Sequence, residues 1–455
     1  MRRHVVKIAP TGFFADYGCH VRILEEARAL QQHGSDVTVV TYPGGSDPPG
    51  LPVVRIPAWL HRGGPRVGSH WRKLMLDPAL LATALTRLPS RPVDIVHAHL
   101  HEGVLIGWLL ARMHGAGLVF DYQGSLTREM LDHQFIRAAN PLLHVFSWLE
   151  KLGNRLADRI LTSSENARNT LIAESGLPAD RVVAVTDGVD LTRFRPRQPD
   201  DAAPLRDLRH RLGIPPNRLL VGYLGLLAPY QGTNDLIRTA QLVLQQNPGV
   251  HFLVMGFPNE AAYRDAATAA GLANHMHFTG RVPYADAPRM LRVLDIAVAP
   301  KRSESEGNGK VLNYMAAGLP VVAYDGPVAR ELLGPAGLRV PVGSAEGLAQ
   351  GLLRYLADPY LRTRHGHTLR RRAERMYGWD RQIQHITRVY DDLSGPSSFQ
   401  KPLHHARVVE AVAALHPLLG ERQSLPRTRS GVRPSPAETG EGSSGHPPSG
   451  NPGTS

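Results

Sequence analysis

A single cysteine, Cys19, stands in the 455 residues. No disulfide framework can form within the chain, which fits a reducing compartment. Long apolar runs are missing as well. Nothing approaches the roughly 18–20 consecutive apolar residues that span a bilayer. The opening MRRHVVKIAP holds two arginines but only a short apolar run, so it reads as a first strand rather than a signal peptide. The expectation is a cytoplasmic protein, soluble or at the inner membrane surface. Aromatic residues make up only 6% of the chain. Without stacking-aromatic clusters or a recognised binding module, nucleic acid is not an expected partner.

The residues that are present describe a globular chain, 42% hydrophobic and 20% charged. Its length exceeds one ordinary core, so two domains are expected. The net charge is +12. Residues 396–455 hold six Lys/Arg against four Asp/Glu, so most of the excess lies upstream. A basic body favours anionic partners such as phosphates or anionic lipid surfaces.

Apolar, β-branched runs alternate with segments of helical periodicity. HVVKIA leads through TGFFADYG into VRILEEARALQQHG. VTVVTY, VDIVHAHL, GLVFDY and RILTSS follow with helices between them. Near-continuous apolar strands alternating with helices predict parallel sheets buried on both faces. Composition shifts to Pro, Asp and Arg at DLTRFRPRQPDDAAP, and the alternation restarts at LLVGYLG. The fold class expected is α/β, with two tandem Rossmann-like domains facing a cleft. The first covers 1–191, a linker 192–208, and the second 209–375. The tail, 396–455, is rich in Pro, Gly, Ser and Arg without apolar periodicity, and disorder is expected there. Its one apolar piece, ARVVEAVAALHPLL, reads as a fraying helix or a docking segment. Ligands of such sheets sit beyond the carboxyl ends of the strands.

The stretch SESEGNGKVLNYMAAGLPVV, residues 303–322, passes from a glycine-bearing loop into a helix. A loop that feeds a helix N-terminus cradles anions. It is not a triphosphatase P-loop. That motif needs Gly where Glu304 stands, and Ser or Thr where Val311 stands. Gly307 and Gly309 permit close backbone approach, and Lys310 adds a full charge at the helix start. The alternative is a glycine-rich connection with Lys310 merely solvated.

This stretch, together with VTDGVDLTRFRP, VGYLGLLAPYQG and YGWDRQIQHITRVYDDL, resembles GT-B fold glycosyltransferases of the family 4 (group 1) type. The resemblance covers about residues 4–394. It implies a retaining transfer of a sugar from a nucleotide-diphosphate sugar to a glycan, lipid-linked or small-molecule acceptor. It implies no cofactor beyond that donor, no bound metal, and a last helix, 376–395, that crosses back to the first domain. Glu306 and Lys310 then take the catalytic places. Gly18, Gly225, Gln231, Gly307, Asn308, Gly309, Asn313 and Glu331 take donor-binding places. His99, His101 and Gln123 fall on the sugar and acceptor side.

Several positions depart from the family pattern. The family's second glutamate in the opening loop is Asn313 here, one residue closer to the first, and Glu304 rivals Glu306 for the first place. The Arg and Lys of the "GRL…KG" loop are replaced by Leu226 and Gln231. Lys310, Lys301 and Arg302 are the local candidates to supply that charge. A family histidine is Gln123 here; an amide orients a hydroxyl but shuttles no proton. Gly18 is expected just ahead of a helix beginning near Val21, and His20 as a cap or surface residue. Strand alternation puts His97, His99 and His101 on one face, which admits a metal only weakly. Glu129 reads as an exposed helix carboxylate, the alternative being a contact with the acceptor. RVGSHWRKLMLDPALL, with Arg66, Arg72 and Lys73 among Trp71, Leu74 and Met75, reads as a basic helix suited to anionic lipid or as a plain domain helix. Two other functions share the fold: a sugar-nucleotide epimerase, and a binding protein without turnover.

Overall fold

A computed structural model describes residues 2–60, 73–88, 91–132, 140, 142–303 and 307–394. Glu304, Glu306, Arg66, Trp71, Arg72 and the tail after 394 lie outside the described residues.

The first sheet is built from β1 (His4–Ala9), β2 (Asp36–Thr41), β3 (Val53–Arg55), β4 (Ile95–His99), β5 (Gly117–Tyr122), β6 (Arg159–Thr162) and β7 (Val182–Ala184). Their order is β3-β2-β1-β4-β5-β6-β7, with every pair parallel. The second sheet comprises β8 (Leu220–Leu224), β9 (His251–Met255), β10 (Met276–Gly280), β11 (Ile296–Ala299), β12 (Val321–Tyr324) and β13 (Leu338–Val340). It runs β10-β9-β8-β11-β12-β13, again parallel throughout. β1, β4 and β9 are buried along their whole length, as the unbroken apolar runs require.

Among the described residues, the first half holds α1 (Gly18–Gln32), α2 (Lys73–Arg87), α3 (Leu100–His114), α4 (Leu126–Asp132), α5 (Leu142–Leu156) and α6 (Glu165–Ser175). The second half holds α7 (Ala202–Arg211), α8 (Thr233–Gln246), α9 (Glu260–Ala269), α10 (Ala287–Arg292), α11 (Gly309–Ala316), α12 (Pro327–Leu333), α13 (Ala345–Ala357), α14 (Pro359–Met376) and α15 (Trp379–Ser394). α2, α3 and α5 cover one face of the first sheet over a core that includes Ile8, Val96, Leu110 and Phe120. α1 and α15 cover the other, and α15 packs against α1, β4 and β5. Both sheets belong to one compact unit.

In each sheet the strand order reverses once, between β1 and β4 and between β8 and β11. A crevice opens at such a point because the connections leave on opposite faces. The loops after these four strands line the interdomain cleft, together with residues that follow β2, β5, β6, β7 and β9.

The stretch expected as a linker, 192–208, contains the start of α7. Its Asp and Pro residues are helix-start residues rather than loop residues: Pro199 opens a short 3-10 turn, and Asp201 accepts from the Gln198 N–H at 2.9 Å.

Candidate active site

A cleft of about 340 Å³ runs between the two sheets. From the second domain come Gly225, Leu226 and Gln231 after β8, and Lys301, Gly307, Asn308, Gly309, Lys310 and Asn313 after β11. The first domain supplies Gly18 and Arg22 of α1, His101 and Glu102 of α3, Gln123, Glu129, Ser163 and Asp187.

The second-domain wall is a cradle. Gly309 opens α11, so the unpaired N–H groups of that helix face the loop that precedes it. Lys310 Nζ donates to Gln231 Oε1 at 2.6 Å and to Tyr223 Oη at 3.3 Å. It also lies 4.8 Å from the Tyr223 ring centroid, a cation–π distance. Gly225 makes this possible: a Cβ there would stand 2.8 Å from the ammonium. Lys301 is buried and donates to the Gly307 carbonyl at 2.8 Å, which fixes the loop. The buried Asn308 Oδ1 has no hydrogen-bond partner among the described residues. A buried acceptor in that state fits a hydroxyl donor from outside the chain. Asn313 follows one turn into α11, half-buried on the cleft side. Arg302 is elsewhere. Its guanidinium grips Asp235 at 2.7 and 2.5 Å, and it is absent from the cleft lining.

The first-domain wall stands on a buried ionic network. Lys7 Nζ lies 2.6 Å from Glu26 Oε1 and 3.2 Å from His99 Nε2. His99 Nδ1 meets Asp121 Oδ2 at 2.8 Å. Arg22 Nε donates to both Asp121 oxygens at 3.0 and 3.1 Å, and Arg22 Nη1 to Asp187 at 2.5 Å. His97 Nδ1 lies 2.6 Å from Tyr390 Oη of α15. Burial by itself would push the Asp121 carboxyl up, but Arg22 and His99 hold it well below the ordinary range. Burial and the nearby Lys7 charge lower the His99 imidazole to about 3, so it is neutral at pH 7. Asp187 faces the cradle: its Oδ2 lies 3.0 Å from where a Gly309 Cβ would be. A side chain at 309 would meet this carboxylate.

Several placements differ from the sequence expectations. α1 begins at Gly18 rather than near Val21. His20 is not a cap or surface residue. It is fully buried, accepts from the Ala15 N–H at 2.7 Å and meets Thr11 Oγ1 at 2.6 Å, which pins the glycine-bearing loop. Burial lowers its imidazole to about 3. His97, His99 and His101 do not share a strand face. β4 ends at His99, and Leu100, the first residue of α3, adopts φ 59. That turn carries His101 to the cleft and leaves His99 fully buried beneath it. Glu331 also lies off the cleft. Its carboxylate accepts from the Glu165 N–H at 3.2 and 3.1 Å, so it caps α6 across the two domains. A metal group by distance exists among the described residues, His97, His99 and Asp121. Lys7 and Arg22 already occupy two of its three members by hydrogen bonding.

Arg22 and Asp187 had no assigned role in the sequence. The available signal was weak: Arg22 and Glu26 occupy positions of α1 that turn inward, where apolar residues would be expected.

Residues 17–188 match the glycosyl transferase 4-like domain model, and residues 218–358 match the model for glycosyl transferases group 1. A 2-deoxystreptamine N-acetyl-D-glucosaminyltransferase of Streptomyces fradiae is 30% identical, over 75% of this chain and 83% of that protein. The chain belongs to the group 1, family 4 glycosyltransferases. A phosphatidyl-myo-inositol mannosyltransferase of Mycolicibacterium smegmatis is 27% identical to this glycosyltransferase, over 85% of this chain and 93% of the relative. Among solved structures, a sucrose-phosphate synthase from Thermosynechococcus elongatus superposes with a TM-score of 0.71 at 20% identity, covering 86% and 99% of the two chains. Anabaena HepE, in complex with UDP-glucose, gives 0.66 at 19% identity, over 86% and 100%. These likenesses establish the GT-B fold of the glycosyltransferase. Its two sheets and the cleft at their switch points are that architecture.

Proposed function

We propose that this enzyme transfers a sugar with retention from a nucleotide-diphosphate sugar to a glycan, lipid-linked or small-molecule acceptor. The observation that carries the reading is the convergence of Lys310, the N-terminus of α11 and the Gly307–Gly309 backbone on one point of the cleft. As the donor's C1–O bond breaks, negative charge builds on the diphosphate. Preorganised N–H groups and a cation aimed there lower the barrier. The acceptor oxygen attacks C1 from the leaving-group face, and its proton passes to the departing phosphate oxygen. No side-chain base is required by that path, which suits an amide at Gln123. Gln123 Nε2 donates to Asp121 at 2.8 Å, so its oxygen is presented to the cleft for a hydroxyl. Asn308 and Asn313 take the donor's hydroxyls. Glu306 takes the donor sugar, as the resemblance implies. No cofactor beyond the donor, and no metal, enters this path.

The test is nucleotide-diphosphate release and product stereochemistry. A panel of nucleotide sugars is first screened for thermal stabilisation, since a bound ligand raises melting by mass action. The stabilising donor is then supplied with acceptors, and the anomeric configuration of the product is read by NMR. Lys310→Ala is expected to weaken diphosphate binding and slow transfer together. Unchanged kinetics in that variant would remove Lys310 from its role. Tight donor binding without turnover across polyol, glycan and lipid-linked acceptors would favour a binding protein. Conversion of the donor without an acceptor would favour an epimerase.

A further inference from the structure

The buried network of the first domain carries more negative charge than positive. Its carboxylates are Glu26, Asp121 and Asp187, and its cations are Lys7 and Arg22. Burial lowers the imidazoles of His97 and His99, so neither adds charge at pH 7. Three carboxylates against two cations leave one negative charge on this group of side chains. The side chains of Lys7, Glu26 and Asp121 are fully buried and Arg22 is 5% exposed, whereas Asp187 is 22% exposed and lines the cleft. The surplus charge therefore has its outlet at Asp187, the most exposed of the five.

Asp187 is aimed across the cleft. Arg22 Nη1 holds its Oδ1 at 2.5 Å, and Oδ2 is turned toward the second-domain loop. Oδ2 lies 3.0 Å from where a Gly309 Cβ would be and 3.4 Å from where a Gly307 Cβ would be. Chain neighbours aside, no other described side chain comes within 4 Å of the Gly309 position. Asp16 also lines the cleft, but it is tied to Arg281 and to the Tyr284 N–H, each at 2.7 Å. Arg22 in addition holds Asp121, which accepts from Gln123 Nε2. One guanidinium thus sets two groups toward the cleft, the Gln123 amide and the Asp187 carboxylate.

The two walls are opposite in sign where they face each other. The second presents Lys310 and the start of α11, and the first presents a carboxylate. Glycosyl transfer separates charge in the same sense. As the C1–O bond to the diphosphate breaks, its electron pair stays with the phosphate oxygen and the sugar becomes an oxocarbenium-like cation. A single oxygen joins the sugar to that phosphate, so the cationic centre forms beside the cradle, on the side that Asp187 faces. We infer that Asp187 is a catalytic carboxylate that stabilises the cationic sugar in the transition state, with Arg22 as its positioning residue. That role rests on the transferase reading and extends it to the opposite wall. The carboxylate exchanges no bond and no proton. The acceptor oxygen supplies the new electron pair to C1, and its proton passes to the departing phosphate oxygen. A fixed charge that meets the substrate's charge only as it develops acts on kcat rather than on binding. Toward the bound diphosphate the same carboxylate is repulsive, so it does not help the donor to bind.

The experiment uses the full chain with the nucleotide sugar that it turns over. Asp187→Asn removes the charge and keeps an oxygen that accepts from Arg22. Its kcat is expected to fall about 100-fold. Its affinity for the nucleoside diphosphate, read by calorimetry, is expected to hold or to rise. Asp187→Ala is expected to lose as much and to recover roughly tenfold with added formate, a small carboxylate that fits the space left. Melting curves check that each variant is folded, and the formate rescue decides if only the alanine variant folds. An unchanged kcat in Asp187→Asn overturns the proposal. So does a fall in kcat matched by weaker diphosphate binding, which would make Asp187 part of the framework of the donor seat. A glycosyl adduct found on Asp187 by mass spectrometry would make it a nucleophile and would also overturn it. A wild-type chain that releases diphosphate from no donor removes the transferase reading, and this role with it. Wild-type turnover beside an unaffected Asp187→Asn removes this role alone.

Discussion

The two walls of the cleft solve the same problem differently. On the first-domain side, charge is neutralised within the protein. Lys7 sits on Glu26, and Arg22 is held between Asp121 and Asp187, with little or no exposure for the network's inner members. On the second-domain side, the contacts of Lys310 and Lys301 include an amide oxygen, a phenol and a backbone carbonyl. Ion pairs as tight as the first set are shape-keeping devices, because breaking one strands a buried charge. An ammonium resting on an amide oxygen can exchange that contact for a phosphate oxygen with a stronger, charge-assisted bond. The first wall is therefore built to keep its form, and under the proposed function the second is the one that meets the donor's diphosphate.

The largest expected effect breaks the first wall. Lys7→Ala leaves Glu26 buried without its cation, and unfolding stability is expected to drop by about 3–5 kcal/mol. Urea denaturation followed by circular dichroism measures it. A loss below about 1 kcal/mol would mean that water reaches this network and that the contrast between the walls is overstated. Next, Lys310→Ala is expected to cut kcat/KM by about 100-fold while melting stays close to that of the parent. A loss of stability matching that of Lys7→Ala would place Lys310 with the structural ions.

Acid should act on the first wall before the second. His20 and His99 are both lowered to about 3 by burial, against an ordinary value of 6.5. The unfolded chain therefore binds protons below about pH 6.5 that the folded chain refuses. Stability is expected to be full above that pH and to fall as pH drops from 6.5 toward 3, by about 1.4 kcal/mol per pH unit for each histidine. His20→Gln should flatten part of that slope in a pH series of melts. The smallest effect probes the cradle. Asn313→Glu is expected to tighten donor binding by roughly 1 kcal/mol, through a charge-assisted bond to a donor hydroxyl, with stability unchanged. Calorimetry with the nucleotide diphosphate and with the intact donor would separate a hydroxyl contact from repulsion at the phosphates.

Much of this was legible in the chain. Unbroken apolar strands alternating with helical periods dictate parallel sheets covered on both faces, because only full burial tolerates such runs. The glycine-bearing loop before Lys310 predicts an anion cradle, since a helix start leaves its first N–H groups without partners. The expectations for His20, His99 and Glu331 failed for one reason. Local pattern shows that a polar residue is present, not which distant group satisfies it. His20 is held by Ala15 and Thr11, His99 by Lys7 and Asp121, and Glu331 by a helix start in the other domain.

Periodicity and glycine placement, which act within a few residues, thus determined by themselves the two-sheet architecture and the loops that face the cleft. The pairing of Lys7 with Glu26, the grip of Arg22 on Asp121 and Asp187, and the seat of Lys310 on Gln231 were decided only by the tertiary structure. Those contacts join residues 19, 99, 165 and 79 positions apart. Which charges meet at such separations follows from how the sheets and helices pack, and packing depends on the whole chain.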